Sequence, residues 1–150
     1  MKSDKGFSLI ELMVVIAIIA IVVAVAAPSY ESMMAGSRLT SSSNTLVGAL
    51  RLARSEAVTS KQNVFVCSSD DQATCAGSWA NGGVVRRADG QVIRVLSAFP
   101  AGITVAGATI QYGANGQLAA AANLSVNNGT DTTTVQVNRI GQTSICHGSC

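Results

Sequence analysis

The residues able to do chemistry are few. Four cysteines stand at 67, 75, 146 and 150, the single histidine stands at 147, and Glu11 interrupts an apolar run near the N-terminus. In an exported chain the cysteines read as two disulfides. Their close spacings favour Cys67–Cys75 and Cys146–Cys150, although three connectivities exist. The rival is a four-thiolate zinc site, but neither pair has the usual structural-zinc interval. The run Cys146-His147-Gly148-Ser149-Cys150 is also not a Cys-x-x-Cys-His haem attachment. His147 has no carboxylate beside it and reads as a surface residue. Ser41–Ser43 lack the Gly-x-Ser-x-Gly elbow of a hydrolase, and no glycine loop with a lysine is present to cradle phosphate. No catalytic residue, metal or cofactor is expected.

Glu11 is the residue that needs a reason. From Leu12 to Ala27 nothing charged or strongly polar appears, and Phe7 to Ala27 is 21 residues. As a helix that run is about 31 Å long, enough to cross the hydrocarbon of a bilayer. A carboxylate in that setting costs roughly 2.5–3.5 kcal/mol, less near an interface. Lys2 and Lys5 precede the run and no comparable cluster follows it, which predicts a cytoplasmic N-terminus and an exported remainder. An ordinary signal peptide is the plain rival, with a small-x-small site at Ala24 and Ala26, and would free a disulfide-bearing periplasmic protein. A charge at position 11 interrupts the apolar region that such a signal needs.

The stretch KGFSLIELMVVIAIIAIVVAVAAPSY closely resembles the N-terminus of type IV pilins and type II secretion pseudopilins. The resemblance implies that residues 1–6 are a leader, cut by prepilin peptidase between Gly6 and Phe7, with N-methylation of Phe7. It implies that the apolar helix stays on the mature protein. Glu11 then lies four residues after a new amine on Phe7 and pairs with such an amine, by family precedent that of a neighbouring subunit. Glu11 is on this reading an assembly residue, and removing its partner would strand a charge in an apolar setting.

Behind this segment the chain must supply a scaffold. Charged residues are only 12% and aromatics 4%, so a thin core with many turns is expected. Leu39, Ser43, Leu46, Leu50, Ala53 and Ala57 fall at helical spacing, with Arg51, Arg54 and Glu56 largely off that stripe. Pro28 is a candidate kink with Ser29 as a restart, and residues 35–44 are poor helix formers, so the stripe predicts a helix from about Leu39 to Ser60. After Lys61 come strand-like runs at 63–68, 82–88, 91–96, 102–105, 109–113 and 132–138, separated by Asn-Gly and Asp-Gly turn signals. The run VVRRADGQVIRV is the clearest hairpin, and strict alternation predicts at least one exposed arginine among Arg86 and Arg87. Strands gathered against one helix make an α+β fold.

The divisions expected are 1–6 leader, 7–27 transmembrane and assembly helix, 28–62 amphipathic helix, and 63–150 a β-rich periplasmic or extracellular domain. The run LRLARSEAVTSKQNVFVC (50–67) resembles the GspH/FimT branch of the pilin superfamily, as more loosely do SWANGGVV and YGANGQL. This implies a minor pilin or pseudopilin at or near a filament tip. The partners implied are other pilin or pseudopilin subunits, prepilin peptidase and an inner-membrane assembly platform. Some members of the branch bind DNA in natural transformation through a Gly-Arg-x-Arg element. Here the corresponding place has Asn138 before Arg139, and Gly141 at the second arginine position. Arg86, Arg87, Arg94 and Arg139 are the candidates for a DNA patch, without an aromatic platform. The net charge of +2 adds nothing to that reading.

Overall fold

The computed structural model describes residues 7–147, with the side chains of residues 26–29 outside the described set. Gly6, Gly148 and Cys150 lie outside it as well. A helix, α1, runs Leu9–Ser60, and it is followed by eight strands and one short 3-10 turn at Trp79–Asn81 among the described residues. The backbone remains helical through position 28, so the proline expected to interrupt it does not. Residues 35–44 are helical too. Their hydroxyls do not compete with the helix but bond back into it. Thr40 Oγ1 donates to the Gly36 carbonyl at 3.0 Å, Ser43 Oγ to Leu39 at 2.9 Å, and Thr45 Oγ1 to Ser41 at 2.9 Å. The helix stops at Ser60, where Lys61 takes a left-handed φ of 56°.

The chain divides into two units, Met1–Met34 and Ala35–Cys150. In the second, every residue of the expected stripe is buried: Leu39, Ser43, Leu46, Leu50, Ala53 and Ala57. The stripe packs on two four-stranded antiparallel sheets. Sheet A orders β3 (Val92–Leu96), β2 (Gly83–Arg87), β1 (Val64–Ser68) and β5 (Ile110–Tyr112). Sheet B orders β4 (Thr104–Gly107), β6 (Ala122–Asn127), β7 (Thr132–Val137) and β8 (Thr143–His147). Alternation sends Val64 and Val66 of β1, Leu124 and Val126 of β6, and Val135 and Val137 of β7 into one core with the helix. Each fully buried leucine or valine contributes about 2 kcal/mol. Strands β6 and β8 were not expected from the sequence, and with them the antiparallel β domain that packs on the long helix forms two sheets.

The predicted hairpin is β2–β3, turned at Gly90 with φ 95°. Its register shifts between Val85 and Arg86. Val85 joins the core beside Val66, while Val84 pairs with Cys67 and is fully buried as well. Arg86 and Arg87 are both half-buried, so the exposed arginine expected from alternation is absent. The reason is local: Arg87 is drawn onto α1 by Glu56, and Arg86 lies along Phe65 and Cys75. Trp79 is a packing residue, buried, with its indole N–H donating to the Gly107 carbonyl at 3.1 Å.

Candidate functional site

The first unit carries its apolar surface outward. Every described side chain from Phe7 to Val25 is exposed, including Leu9, Ile10, Met13 and Ile16. An 18-residue window here has a mean hydropathy of 3.2, and the helix is long and apolar enough to cross a membrane. Glu11 stands in the first turn of α1. Carboxylates are favoured there by the unbonded amides of a helix start. The Leu12 amide bonds back to the Ser8 carbonyl at 3.2 Å, so the helical turn begins immediately after Phe7.

The cysteines settle in part as expected. Cys67 and Cys75 are bridged, with Cα atoms 5.4 Å apart, which takes both out of any four-thiolate zinc arrangement. Cys146 is disulfide-bonded, and its expected partner Cys150 lies outside the described residues. Among the described residues no group of three or more metal-ligating side chains comes together. His147 is exposed at the end of β8.

Inside the first disulfide's loop, two carboxylates act as staples. The Asp71 carboxylate accepts from the Thr74 and Ala73 amides at 2.8 and 3.0 Å, the Thr74 hydroxyl at 2.7 Å and the Ser69 hydroxyl at 2.9 Å. These donors, the Thr74 amide foremost, hold its pKa well below the ordinary carboxylate range. Asp70 accepts from the Ser78 amide at 2.9 Å and the Asn81 amide group at 3.0 Å, and its pKa is lowered for the same reason.

Three of the four arginines named as a DNA patch lie on the β2–β3 hairpin, and the fourth lies on the other sheet. Arg87 on β2 is ion-paired to Glu56 and hydrogen-bonded to Gln91. Arg86 is on the adjacent β2 position beside Phe65 and Cys75. Arg94 on β3 lies against the helix near Gly48. Arg139 is exposed in the turn between β7 and β8, on the other sheet.

A further arginine, not among the four, is also held in place by the fold. Arg54 projects from α1 to the β7–β8 turn, where its Nη2 donates to the Ile140 carbonyl at 2.8 Å. Gly141 (φ 80°) and Gly116 (φ 75°) leave room for its stem. A Cβ on Gly141 would come within 2.9 Å of Arg54 Nε and 2.1 Å of the Gly116 carbonyl oxygen. The sequence signal was the turn glycine at 141, where the loop has a space instead of a side chain.

With this geometry in place, the likenesses to known proteins have a structure to refer to. The family described as "Type II transport protein GspH" matches residues 42–141, and the "Prokaryotic N-terminal methylation motif" matches residues 1–27. A type IV major alpha-pilin of Moraxella bovis is 38% identical over 47% of this chain and 52% of its own length. A fimbrial protein of Pseudomonas aeruginosa is 45% identical over 39% of this chain and 37% of its own. The chain thus spans about half or less of the curated relatives it matches. The crystal structure of the type IV minor pilin FimU from Pseudomonas aeruginosa superposes with a TM-score of 0.58 at 22% identity, covering 74% of this chain and 88% of that one. A second crystal form gives 0.57 at 20% identity, over 71% and 91%. That likeness concerns the fold: a long helix packed on antiparallel sheets. The chain belongs to the GspH family and carries the N-terminal methylation motif, which makes it a minor pilin- or pseudopilin-like structural protein rather than an enzyme.

Proposed function

We propose that this protein is a minor subunit of a type IV pilus or of a type II secretion pseudopilus, placed at or near the tip. It is cut between Gly6 and Phe7 by prepilin peptidase, methylated on the Phe7 amine, and held in the inner membrane with its N-terminus cytoplasmic. The domain that follows α1's apolar half is periplasmic until an assembly platform draws the subunit into the filament. Glu11 pairs with the amine of a neighbouring Phe7. The observation that carries this reading is the uniformly exposed apolar surface from Leu9 to Val25, with a single carboxylate in its first turn. Such a surface is stable in lipid or against identical helices, and nowhere else.

Mass spectrometry of the mature chain tests the reading. It expects N-methyl-Phe7 as the first residue, and a mature start near Ala27 or Pro28 would overturn it. Whether the partner subunits are those of a pilus or a secretion apparatus is read by which filament the chain co-purifies with. The alternative of a DNA-binding subunit in natural transformation gains no joint surface from Arg86, Arg87, Arg94 and Arg139, which face different surroundings. A salt titration of duplex DNA binding to the full chain in detergent tests that alternative, and no binding at low salt removes it.

A further inference from the structure

A groove of about 610 Å³ opens between α1 and the β7–β8 turn. Arg51 and Arg54 stand one helical turn apart along it, with Ser55 on the same helix face and Gln142 and Thr143 opposite. Arg51 is exposed, and among the described residues it has no hydrogen bond or ion pair. Arg54 is fixed by its bond to Ile140, which uses one of its five donors and leaves the rest of its fork for another acceptor. Two guanidinium groups at this spacing repel each other, and among the described residues no carboxylate lines the groove to offset them.

A second observation lies at the groove's inner side. The Tyr112 ring is fully buried, and its hydroxyl is the one buried side-chain polar atom among the described residues without a hydrogen bond of ordinary geometry. The polar groups that face it are the Thr143 hydroxyl and the Arg54 guanidinium, both of which line the groove. Buried hydroxyls are rarely left without a partner. Two cations and the Ser55 and Thr143 hydroxyls around one opening, with the buried phenol behind Thr143, form a receptor for an oxyanion.

We infer that this groove receives a carboxylate presented by an adjacent subunit, held by Arg51 and Arg54. The inference rests on the reading of the chain as an assembled subunit. A carboxylate suits the site better than a nucleic-acid backbone for two reasons on the molecule itself. The remaining arginines do not extend the groove into a track for successive phosphates, and no aromatic side chain borders it for bases to stack on. The planar fork of Arg54, held in place from behind, matches one carboxyl group in a bidentate manner. A seat for one carboxylate fixes the rotation of this domain against its neighbour.

The test uses the full-length chain in cells that assemble it. Arg51→Glu is the informative variant, since Arg51 makes no contact the fold depends on. Its recovery in the assembled fraction is expected to fall about tenfold with the membrane pool unchanged. A photo-crosslinking side chain in place of Gln142 is expected to join a segment of another assembled subunit that carries an Asp, a Glu or a C-terminus. Wild-type recovery of Arg51→Glu, or a crosslink to a segment with no carboxylate, overturns the inference. So does loss of duplex DNA binding by Arg51→Glu in detergent with assembly unaltered, which would make the groove a phosphate site. If the wild-type chain itself never leaves the membrane pool, the subunit reading fails first, and that outcome is distinct from failure of the variant alone.

Discussion

Arg87 on β2 reaches Glu56 on α1, with Nε donating to Oε1 at 2.8 Å. This pair ties the helix to sheet A across 31 positions of sequence. Its side chains are 26% and 19% exposed, so solvent and salt still screen it. Glu56→Gln keeps an acceptor and removes the charge, and is expected to cost about 0.5 kcal/mol; Glu56→Ala about 1 kcal/mol. Thermal denaturation of the full chain in detergent reads both, and the Glu56→Gln difference shrinks in high salt.

Gly141 is expected to be less replaceable than Gly102. Both have positive φ, 80° and 85°, but Gly102 has open space where a Cβ would go, while Gly141 faces the Gly116 carbonyl at 2.1 Å and the Arg54 stem. Gly102→Ala should cost about 1 kcal/mol from backbone strain alone. Gly141→Ala should cost about 3 kcal/mol, because the turn and Arg54 must both move. Equal melting temperatures for the two variants would contradict the packing described.

The Asp71 staple gives the disulfide loop an acid dependence. Its folded pKa lies below the ordinary value of 3.8, chiefly through the Thr74 amide. A depressed pKa means the contribution is complete above about pH 4 and is lost as pH falls further, through the folded value. Asp71→Asn keeps an oxygen acceptor without the titration. The melting-temperature gap between wild type and this variant should therefore be widest near neutral pH and narrow steadily below about pH 4. A gap independent of pH would show that the carboxylate's charge is not what these donors hold.

Glu11→Ala is expected to leave membrane insertion unchanged and to lower incorporation into the assembled filament by at least about tenfold, because the neighbour's amine would lose its counter-charge. Fractionation into membrane and sheared-filament pools, probed for the same chain, decides it. Equal distribution with wild type would remove the assembly role.

Much of the scaffold was legible because one face had one job. The stripe from Leu39 to Ala57 is apolar or small at each helical repeat, and all of it is buried. Hairpin β2–β3 announced itself through Asp89-Gly90. Strands β6 and β8 did not. In β6 Leu124 and Val126 are buried in the core and Ala122 packs against it, but Asn and Ser between them signal loops, and ladder pairing with β4 and β7 overrides that composition. β8 pairs on one side only, with β7, and buries little, so its residues carry no alternation to read. The surroundings of the arginine candidates were hidden for a related reason. Sequence counts charges but does not show that Arg87 is already claimed by Glu56, or that a missing side chain at Gly141 makes room for Arg54.

Among residues whose side chains are described, burial in α1 begins at Leu39, shortly after the division between Met34 and Ala35. One helix is thus written under two unrelated rules of selection. On the function proposed, substitutions before that point answer to lipid and neighbouring subunits, and substitutions after it answer to the two sheets. A mutation on one side need not be compensated on the other. Chimaeras joined near position 35 should therefore fold, because no residue of the buried stripe lies before that point.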